Sequence, residues 1–308
     1  MRVALASSSR LSLPTIEMLR RKADIEFLGL LTTPDRPKGR SGTSTPNELA
    51  EILAPSGLSI WKPSSNDEIH RWIKSVRPDL VVVIAYGRLI TKETIEEVPN
   101  GWINLHFSLL PAYRGAAPVQ RAILAGEREF GLTVFRIDQG MDTGPIYRQD
   151  IMMMHQNLPA TDLLEALSGH GSELIEATLQ DIANNVQPRA QEGTPSHAPK
   201  IEKSELHLDL SKAGDLVLRQ FLAFTRKPGV WFTFNGKRHV VTSVAPSSEI
   251  LPVGRIGVRK GRALIGTNEH AIEILSLIPE GRKEMTGMEW ARGLRIGEDE
   301  LSQEEILD

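Results

Sequence analysis

Apolar residues in the first half of the chain fall into short unbroken runs, separated by stretches with helical spacing. Residues 2–6 form the first run and predict a buried strand; residues 12–22 then place Leu13, Ile16 and Leu19 on one side of a helix. A second apolar run at 25–31 ends at Thr32-Thr33-Pro34. Residues 47–54 and 67–76 have helical spacing, with a short strand at 58–61 between them. The run at 80–85 is unbroken and rich in valine, which suits a parallel strand covered on both faces. Further strands are expected at 103–107, 132–137 and 146–154, with helices near 119–124 and over 160–183. This alternation predicts an α/β domain with a doubly wound, mostly parallel sheet over residues 1–186.

The pattern changes after that. Residues 187–204 hold Pro188, Pro195, Pro199 and Gly193 with little apolar periodicity, and read as a linker. Beyond it one helix, 213–224, precedes five short strand-like runs at 230–234, 238–244, 255–258, 263–265 and 271–277. Asn235-Gly236 and Lys260-Gly261 supply turns between them. A small OB-like β-barrel is expected over 205–308.

Composition adds exclusions. The 308 residues include no cysteine, which removes disulfides, thiolate zinc sites and a cysteine nucleophile together. No apolar run approaches the ~20 residues of a membrane span. The opening run, Met1 to Ala6, is too short for a signal peptide, so a cytoplasmic protein is expected. Net charge is −3 but unevenly spread: residues 205–297 carry 14 bases and 9 acids, and 298–308 carry six acids and no base. A basic second domain suits either a polyanionic partner or an ordinary solvated surface.

Several chemistries are missing. Ser7-Ser8-Ser9-Arg10 after the first strand has no glycine for a dinucleotide, and residues 39–45 lack the lysine and spacing of a P-loop. No two histidines share a metal-ligand spacing, so no metal is expected. The dense region is 102–145. Asn104 and His106, two apart on a strand, point to one face at its carboxyl end, where open α/β sheets place their sites. An amide can donate to a developing oxyanion, and an imidazole can move a proton near neutral pH. Asp142, in a glycine-flanked loop, could fold back on that imidazole. Spacing alone equally allows a satisfied buried histidine and an aspartate that only forms a turn.

Three segments carry a family resemblance. Asn104-Leu105-His106-Phe107-Ser108-Leu109-Leu110-Pro111, Arg114-Gly115-Ala116-Ala117-Pro118-Val119-Gln120 and Asp138-Gln139-Gly140-Met141-Asp142-Thr143-Gly144 resemble the signature of the folate-dependent formyltransferases. Thr33-Pro34-Asp35-Arg36-Pro37-Lys38-Gly39-Arg40 resembles the basic loop of the branch that acts on methionyl initiator tRNA. Phe224-Thr225-Arg226-Lys227-Pro228-Gly229-Val230-Trp231 resembles the turn entering that branch's carboxy-terminal barrel. The likeness runs in order from about residue 3 to about residue 290.

The resemblance implies a Rossmann-like formyltransferase domain with Asn104, His106 and Asp142 as the catalytic trio. It implies that Ser108, Leu109, Leu110 and Pro111 line the folate site, with N10-formyltetrahydrofolate as formyl donor and no metal. It puts Arg36, Lys38, Arg40, Arg226 and Lys227 against the tRNA, and implies a monomer. Two positions depart from the family: Ser7-Ser8 stands where Gly-Thr is usual, and the basic loop lacks consecutive lysines, which shifts phosphate contact toward Arg40. The nearest alternative acceptor is the amine of a nucleotide-linked sugar, which would use the same trio. A non-catalytic RNA-binding protein is the alternative of another class, and the intact trio speaks against it.

Overall fold

The computed structural model describes residues 1–37, 44–153, 158–225 and 229–306. Lys38, Arg40, Arg226 and Lys227 therefore lie outside the described residues. The chain divides into two compact units. One comprises Met1–Pro118, Glu129–Met153 and Leu164–Pro199; the other comprises Val119–Arg128, Met154–Leu163 and Lys200–Asp308.

In chain order the first elements are β1 (Arg2–Ser7), α1 (Leu13–Arg21), β2 (Glu26–Leu31), β3 (Arg36–Pro37), β4 (Ser44–Thr45), α2 (Glu48–Leu53) and β5 (Ile60–Trp61). They are followed by α3 (Asn66–Val76), β6 (Leu80–Ile84), α4 (Lys92–Glu96), β7 (Trp102–His106), α5 (Pro118–Ala125), β8 (Glu129–Arg136), β9 (Ile146–Met153) and α6 (Ala160–Ala183). Local chemistry starts the helices where the pattern predicts. Asn47 accepts a hydrogen bond from Ala50 N to cap α2, and Ser65 accepts one from Glu68 N to cap α3.

The sheet of the first unit has the order β5-β2-β1-β6-β7-β8-β9. The first five strands of that order pair in parallel, while β8 and β9 are antiparallel additions at one edge. Chain order reverses between β1 and β6, so a crevice opens beyond the carboxyl ends of these two strands. On one face Ile69, Trp72 and Ile73 of α3 pack with Val81, Val83 and Trp102. On the other, Ser168 of α6 donates to Leu11 O, Lys22 reaches Glu176 and Arg148 pairs with Asp181. Coverage on both faces explains why β6 is buried at every position.

The second unit holds α7 (Gly214–Phe224), β10 (Val230–Phe234), β11 (Lys237–Pro246), β12 (Arg255–Arg259), β13 (Arg262–Ile265), β14 (Ile272–Pro279), β15 (Met285–Thr286), α8 (Gly287–Gly293) and β16 (Leu301–Glu305). Its strands pair antiparallel in the order β10-β11-β14-β13-β12-β16, with β15 against β14. Register shifts within β11 bend the sheet into a half-barrel. Phe232, Phe234, His239 and Trp290 pack ring against ring inside it.

Three elements here were not expected from the sequence, β15, α8 and β16. Part of the acidic tail forms the strand β16, Leu301–Glu305, paired along β12. Its carboxylates meet basic side chains of the same unit: Glu305 faces Arg255, and Asp299 just before the strand faces Arg259. Glu249 meets Lys260 and Arg262, and Glu273 also faces Arg262. Lys237 and Arg238 are exposed, and the Arg238 guanidinium lies 4.7 Å from the centre of the Trp231 ring. Among the described residues, no helix is long and apolar enough to cross a membrane.

The turn after β7 is packed hard against β8. A Cβ on Gly131 would lie 2.3 Å from Leu109 Cγ and 2.5 Å from Leu109 N. Gly131→Ala is expected to destabilise the protein by about 1–3 kcal/mol, as overpacking does, and to lower its urea midpoint. An unchanged midpoint would show that this turn can shift freely.

Candidate active site

Asn104 lies on β7 between Val83 of β6 and Phe135 of β8. Alternation along the strand puts His106 on the same face. The loop after β8 returns Asp142 to that face, and all three residues line one cavity of about 550 Å³. Its other walls are residues 85–90, which leave the carboxyl end of β6, and residues 137–141. Val83, Ile90, Phe135 and Ile137 supply apolar surface, and a few polar groups converge on it, as in a site for an organic ligand.

His106 is 5% exposed. Its Nε2 lies 2.9 Å from Tyr113 O, and a carbonyl only accepts, so Nε2 carries the proton. In the neutral ring Nδ1 is then a bare acceptor, 3.7 Å from Asp142 Oδ2. That distance is too long for a direct hydrogen bond. Two acceptors facing each other favour a hydrogen-bearing group between them, or a second proton on the ring. Burial holds the imidazole below its ordinary value, against the opposing pull of the Asp142 carboxylate and the Tyr113 carbonyl. The resting ring is neutral at pH 7.

Asp142 has φ +54° in the left-handed region, at a cost of roughly 1–2 kcal/mol for a residue other than glycine. Its Oδ2 accepts from Gly115 N at 2.8 Å. Within the loop, Asp138 Oδ1 accepts from Gly140 N and from the Thr143 hydroxyl, at 3.0 and 2.6 Å. Gln191 donates to the carbonyls of Asp142 and Gly144. The carboxylate is therefore aimed from several directions.

The wall at 85–90 carries its own device. Ala85 also sits in the left-handed region, at φ +46°. Ser8 holds it there: its N–H donates to Ala85 O at 3.3 Å, and its hydroxyl is shared between Ala85 O at 3.0 Å and Tyr86 O at 3.3 Å. Ser8 thus ties the end of β1 to the end of β6, across the point where strand order reverses. Tyr86 is buried, and burial pushes its phenol up to about 12, so it stays protonated. Arg88 fixes the far end of this wall by donating to Pro63 O and Ser64 O. Sequence reading did not single out residues 85–90. Their position just past a strand end at the sheet's switch point was the available signal.

Ser108, Leu109, Leu110 and Pro111 form the turn below His106 and are not among the residues lining the 550 Å³ cavity. The Ser108 hydroxyl donates to Ala112 O, and the Thr133 hydroxyl donates to Ser108 O. Leu110 is buried, and the Leu110–Pro111 peptide is cis. Arg36 is exposed and borders a second cavity of about 400 Å³, which shares Tyr86 and Gly87 with the first.

A Rossmann-like parallel sheet extended by an antiparallel hairpin, with an amide, an imidazole and a carboxylate at one cavity, defines a class. The chain belongs to the formyl transferase family: the model described as "Formyl transferase" matches residues 1–179, and "Formyl transferase, C-terminal domain" matches residues 200–295. Within that family the chain is similar along nearly its whole length to methionyl-tRNA formyltransferases. That of Corynebacterium diphtheriae is 36% identical over 298 residues, covering 92% of this chain and 94% of the relative. That of Paenarthrobacter aurescens is 37% identical over 302 residues, covering 97% and 98%.

Solved structures share the fold at lower identity. HypX from Aquifex aeolicus in complex with tetrahydrofolic acid aligns with TM-score 0.69 at 19% identity, over all of this chain and 50% of that one. This chain thus spans half the length of HypX. The N-formyltransferase of Helicobacter canadensis, solved with folinic acid and dTDP-3-aminofucose, aligns with TM-score 0.64 at 20% identity, covering 88% and 98%. The methionyl-tRNA formyltransferase of Clostridium thermocellum gives TM-score 0.58 at 13% identity, covering 80% and 93%. The chain is a formyl-transferring enzyme.

His106 is expected to titrate below its ordinary value near 6.5 in NMR spectra of the folded protein. The folded protein then binds fewer protons than the unfolded chain between those two values, so this group's contribution to stability falls as pH drops through that window. A His106 titration at or above 6.5 would mean that Asp142, rather than burial, governs the ring.

Proposed function

We propose that the enzyme transfers the formyl group of N10-formyltetrahydrofolate to the α-amine of methionyl initiator tRNA, acting in the cytoplasm as a monomer. The observation that carries the chemistry is a buried His106 whose Nδ1 faces Asp142 across 3.7 Å while its Nε2 meets Tyr113 O, on the strand face that also bears Asn104. The acceptor rests on relatives at 33–37% identity along nearly the whole chain.

The formyl donor is a substrate here. Its bicyclic ring suits the apolar walls between residues 85–90 and 137–141, and its formyl group then faces the trio. The Ser108–Pro111 turn frames that end of the folate site by fixing β7. The acceptor amine must be neutral, and an α-amine with a pKa of about 7.7–8.0 supplies enough of that form near neutrality.

The amine lone pair attacks the formyl carbon, a C–N bond forms, and the carbonyl electrons move onto oxygen. The Asn104 amide donates to that oxyanion; loss of one such donor costs about 2.7–4 kcal/mol of barrier in other enzymes. His106 Nδ1 takes the proton released by the amine, and the resulting imidazolium is held by the Asp142 carboxylate. The proton then passes to N10 of the folate as the carbon–N10 bond breaks. The products are a formamide and tetrahydrofolate, with no proton gained or lost overall.

Residues 1–186 would carry this chemistry, with 187–204 leading to a tRNA-facing domain at 205–308. Arg36, Lys38, Arg40, Arg226 and Lys227 are assigned to tRNA phosphates, for which affinity falls as salt rises. Binding of methionyl initiator tRNA is accordingly expected to weaken steadily from 50 to 200 mM salt on the order of the usual counterion-release dependence. A flat response in filter binding would remove these contacts.

Asp142→Ala is expected to lower single-turnover formyl transfer by about 10²–10⁴-fold, the usual size of a lost acid–base contribution. Quenching of protein fluorescence by tetrahydrofolate should still report donor binding. Near-normal turnover would take Asp142 out of the mechanism. The acceptor is tested by offering methionyl initiator tRNA and a UDP-amino-sugar in parallel. Transfer to the sugar alone would retain the trio and overturn the acceptor.

A further inference from the structure

The segment joining the two sequence domains contributes a side chain to the geometry of Asp142. Residues 189–198 lie along the first unit through backbone bonds: Arg189 and Ile146 exchange N–H and carbonyl at 2.9 and 2.7 Å. Further on, Arg114 N donates to Ser196 O at 2.9 Å, and Ala198 N donates to Arg114 O at 2.7 Å. Gln191 falls between these two anchors.

All of its amide is used. One Nε2 proton goes to Asp142 O at 2.8 Å and the other to Gly144 O at 2.9 Å. Its Oε1 accepts from the Arg114 guanidinium at 2.5 Å. Two carbonyls at one end and a guanidinium at the other allow only this orientation of the amide.

Asp142 is thereby closed into a ring of hydrogen bonds. Its carboxylate is held by the N–H of Gly115, the residue after Arg114, while its backbone carbonyl is held by Gln191, which Arg114 holds in turn. The backbone at Asp142 is left-handed, a conformation that persists only where neighbours over-determine it. Hydrogen bonds inside the loop come from Asp138, which fixes Gly140 and Thr143 and leaves the carbonyls of Asp142 and Gly144 to Gln191.

We infer that Gln191 is a positioning residue for formyl transfer, one that aims the Asp142 carboxylate at His106 through the backbone of residues 142–144. The inference rests on the formyl-transfer reading given above. Gln191 touches neither substrate nor the reacting atoms. Its effect passes through the direction of one carboxylate.

The test compares the wild-type enzyme with Gln191→Leu and the isosteric Gln191→Glu, which keeps an acceptor for Arg114 and loses both donors. In each variant kcat is expected to fall about 10- to 100-fold, the scale of a displacement approaching 1 Å at a reacting group. KM for the formyl donor should stay within about twofold, because Gln191 itself is not among the residues lining the cavity.

The second readout is the NMR titration of His106. The charged groups lining its cavity are Asp142, Asp138 and Arg88, and only Asp142 is addressed directly by Gln191. Asp142 raises the His106 value, so a carboxylate that drifts away lets it fall further. The titration should move to lower pH in Gln191→Leu, the variant that brings in no new charge. Loss of a merely structural contact would lower thermal stability without moving His106.

A drop in kcat together with a lowered His106 titration supports the inference. Unchanged kcat overturns it, and so does a drop in kcat with the His106 titration unmoved. An Arg114→Met/Gln191→Leu double variant should be no slower than the slower single variant, since both act through one connection; additive losses would overturn the ring. If the wild-type enzyme formylates no methionyl initiator tRNA, the acceptor assignment fails by itself, and the His106 comparison still decides the role of Gln191.

Discussion

A neutral imidazole is kept inside the protein between two oxygen acceptors, and much of the first unit exists to hold it so. The Tyr113 carbonyl fixes which nitrogen bears the proton, and burial disfavours adding a second. Asp142 stands close enough to stabilise a charged ring and too far to bond the neutral one directly. The ring is thus most stable uncharged, and in the reaction proposed above it would bear charge only while a proton is in transit. With Nε2–H already given to the Tyr113 carbonyl, an Nδ1 hydrogen-bonded directly to the carboxylate would carry a proton as well and leave the ring no nitrogen to accept with.

The architecture follows from that requirement. A strand can present two polar side chains to one face, but not a third from the same place; the third must arrive on a separate loop. The loop between β8 and β9 supplies it, because it folds back over that face and brings Asp142 to His106. The 85–90 wall then closes the opposite side, tied by Ser8 across the switch point. Left-handed residues occur on both sides of the cavity, at Ala85 and Asp142, and each is pinned by a side chain from a distant part of the chain.

What the sequence makes legible is what repeats. β6 is a continuous apolar run because both of its faces are covered, and α3 begins at a serine with a glutamate three residues on. The two-residue spacing of Asn104 and His106 places them on one face by the geometry of any strand. Contacts made by single side chains to distant carbonyls have no period, and these escaped. Gln191 lies in a proline-bearing stretch without apolar spacing, so it reads as linker, although its neighbours are paired backbone to backbone with the first unit. Ala85 gives no warning of a positive φ, which ordinarily calls for glycine. β16 was hidden by its acids: only Ser302 within it is buried, and the usual alternation of apolar and polar residues is missing.

That last strand alters how the second unit meets a polyanion. Arg255 and Arg259 already face carboxylates of the tail, and Lys260 and Arg262 already face Glu249. A phosphate arriving at any of these four cations would replace an internal anion rather than a diffuse shell of solvent ions. Such an exchange frees few counterions from the protein and draws little entropy from dilution. Sequence composition therefore overstates the electrostatic grip of this domain, whose solvent-facing positive charge is better represented by Lys237 and by Arg238 over the Trp231 ring. On the tRNA-facing reading proposed above, this surface would orient its partner by a few such contacts rather than capture it by a broad positive field.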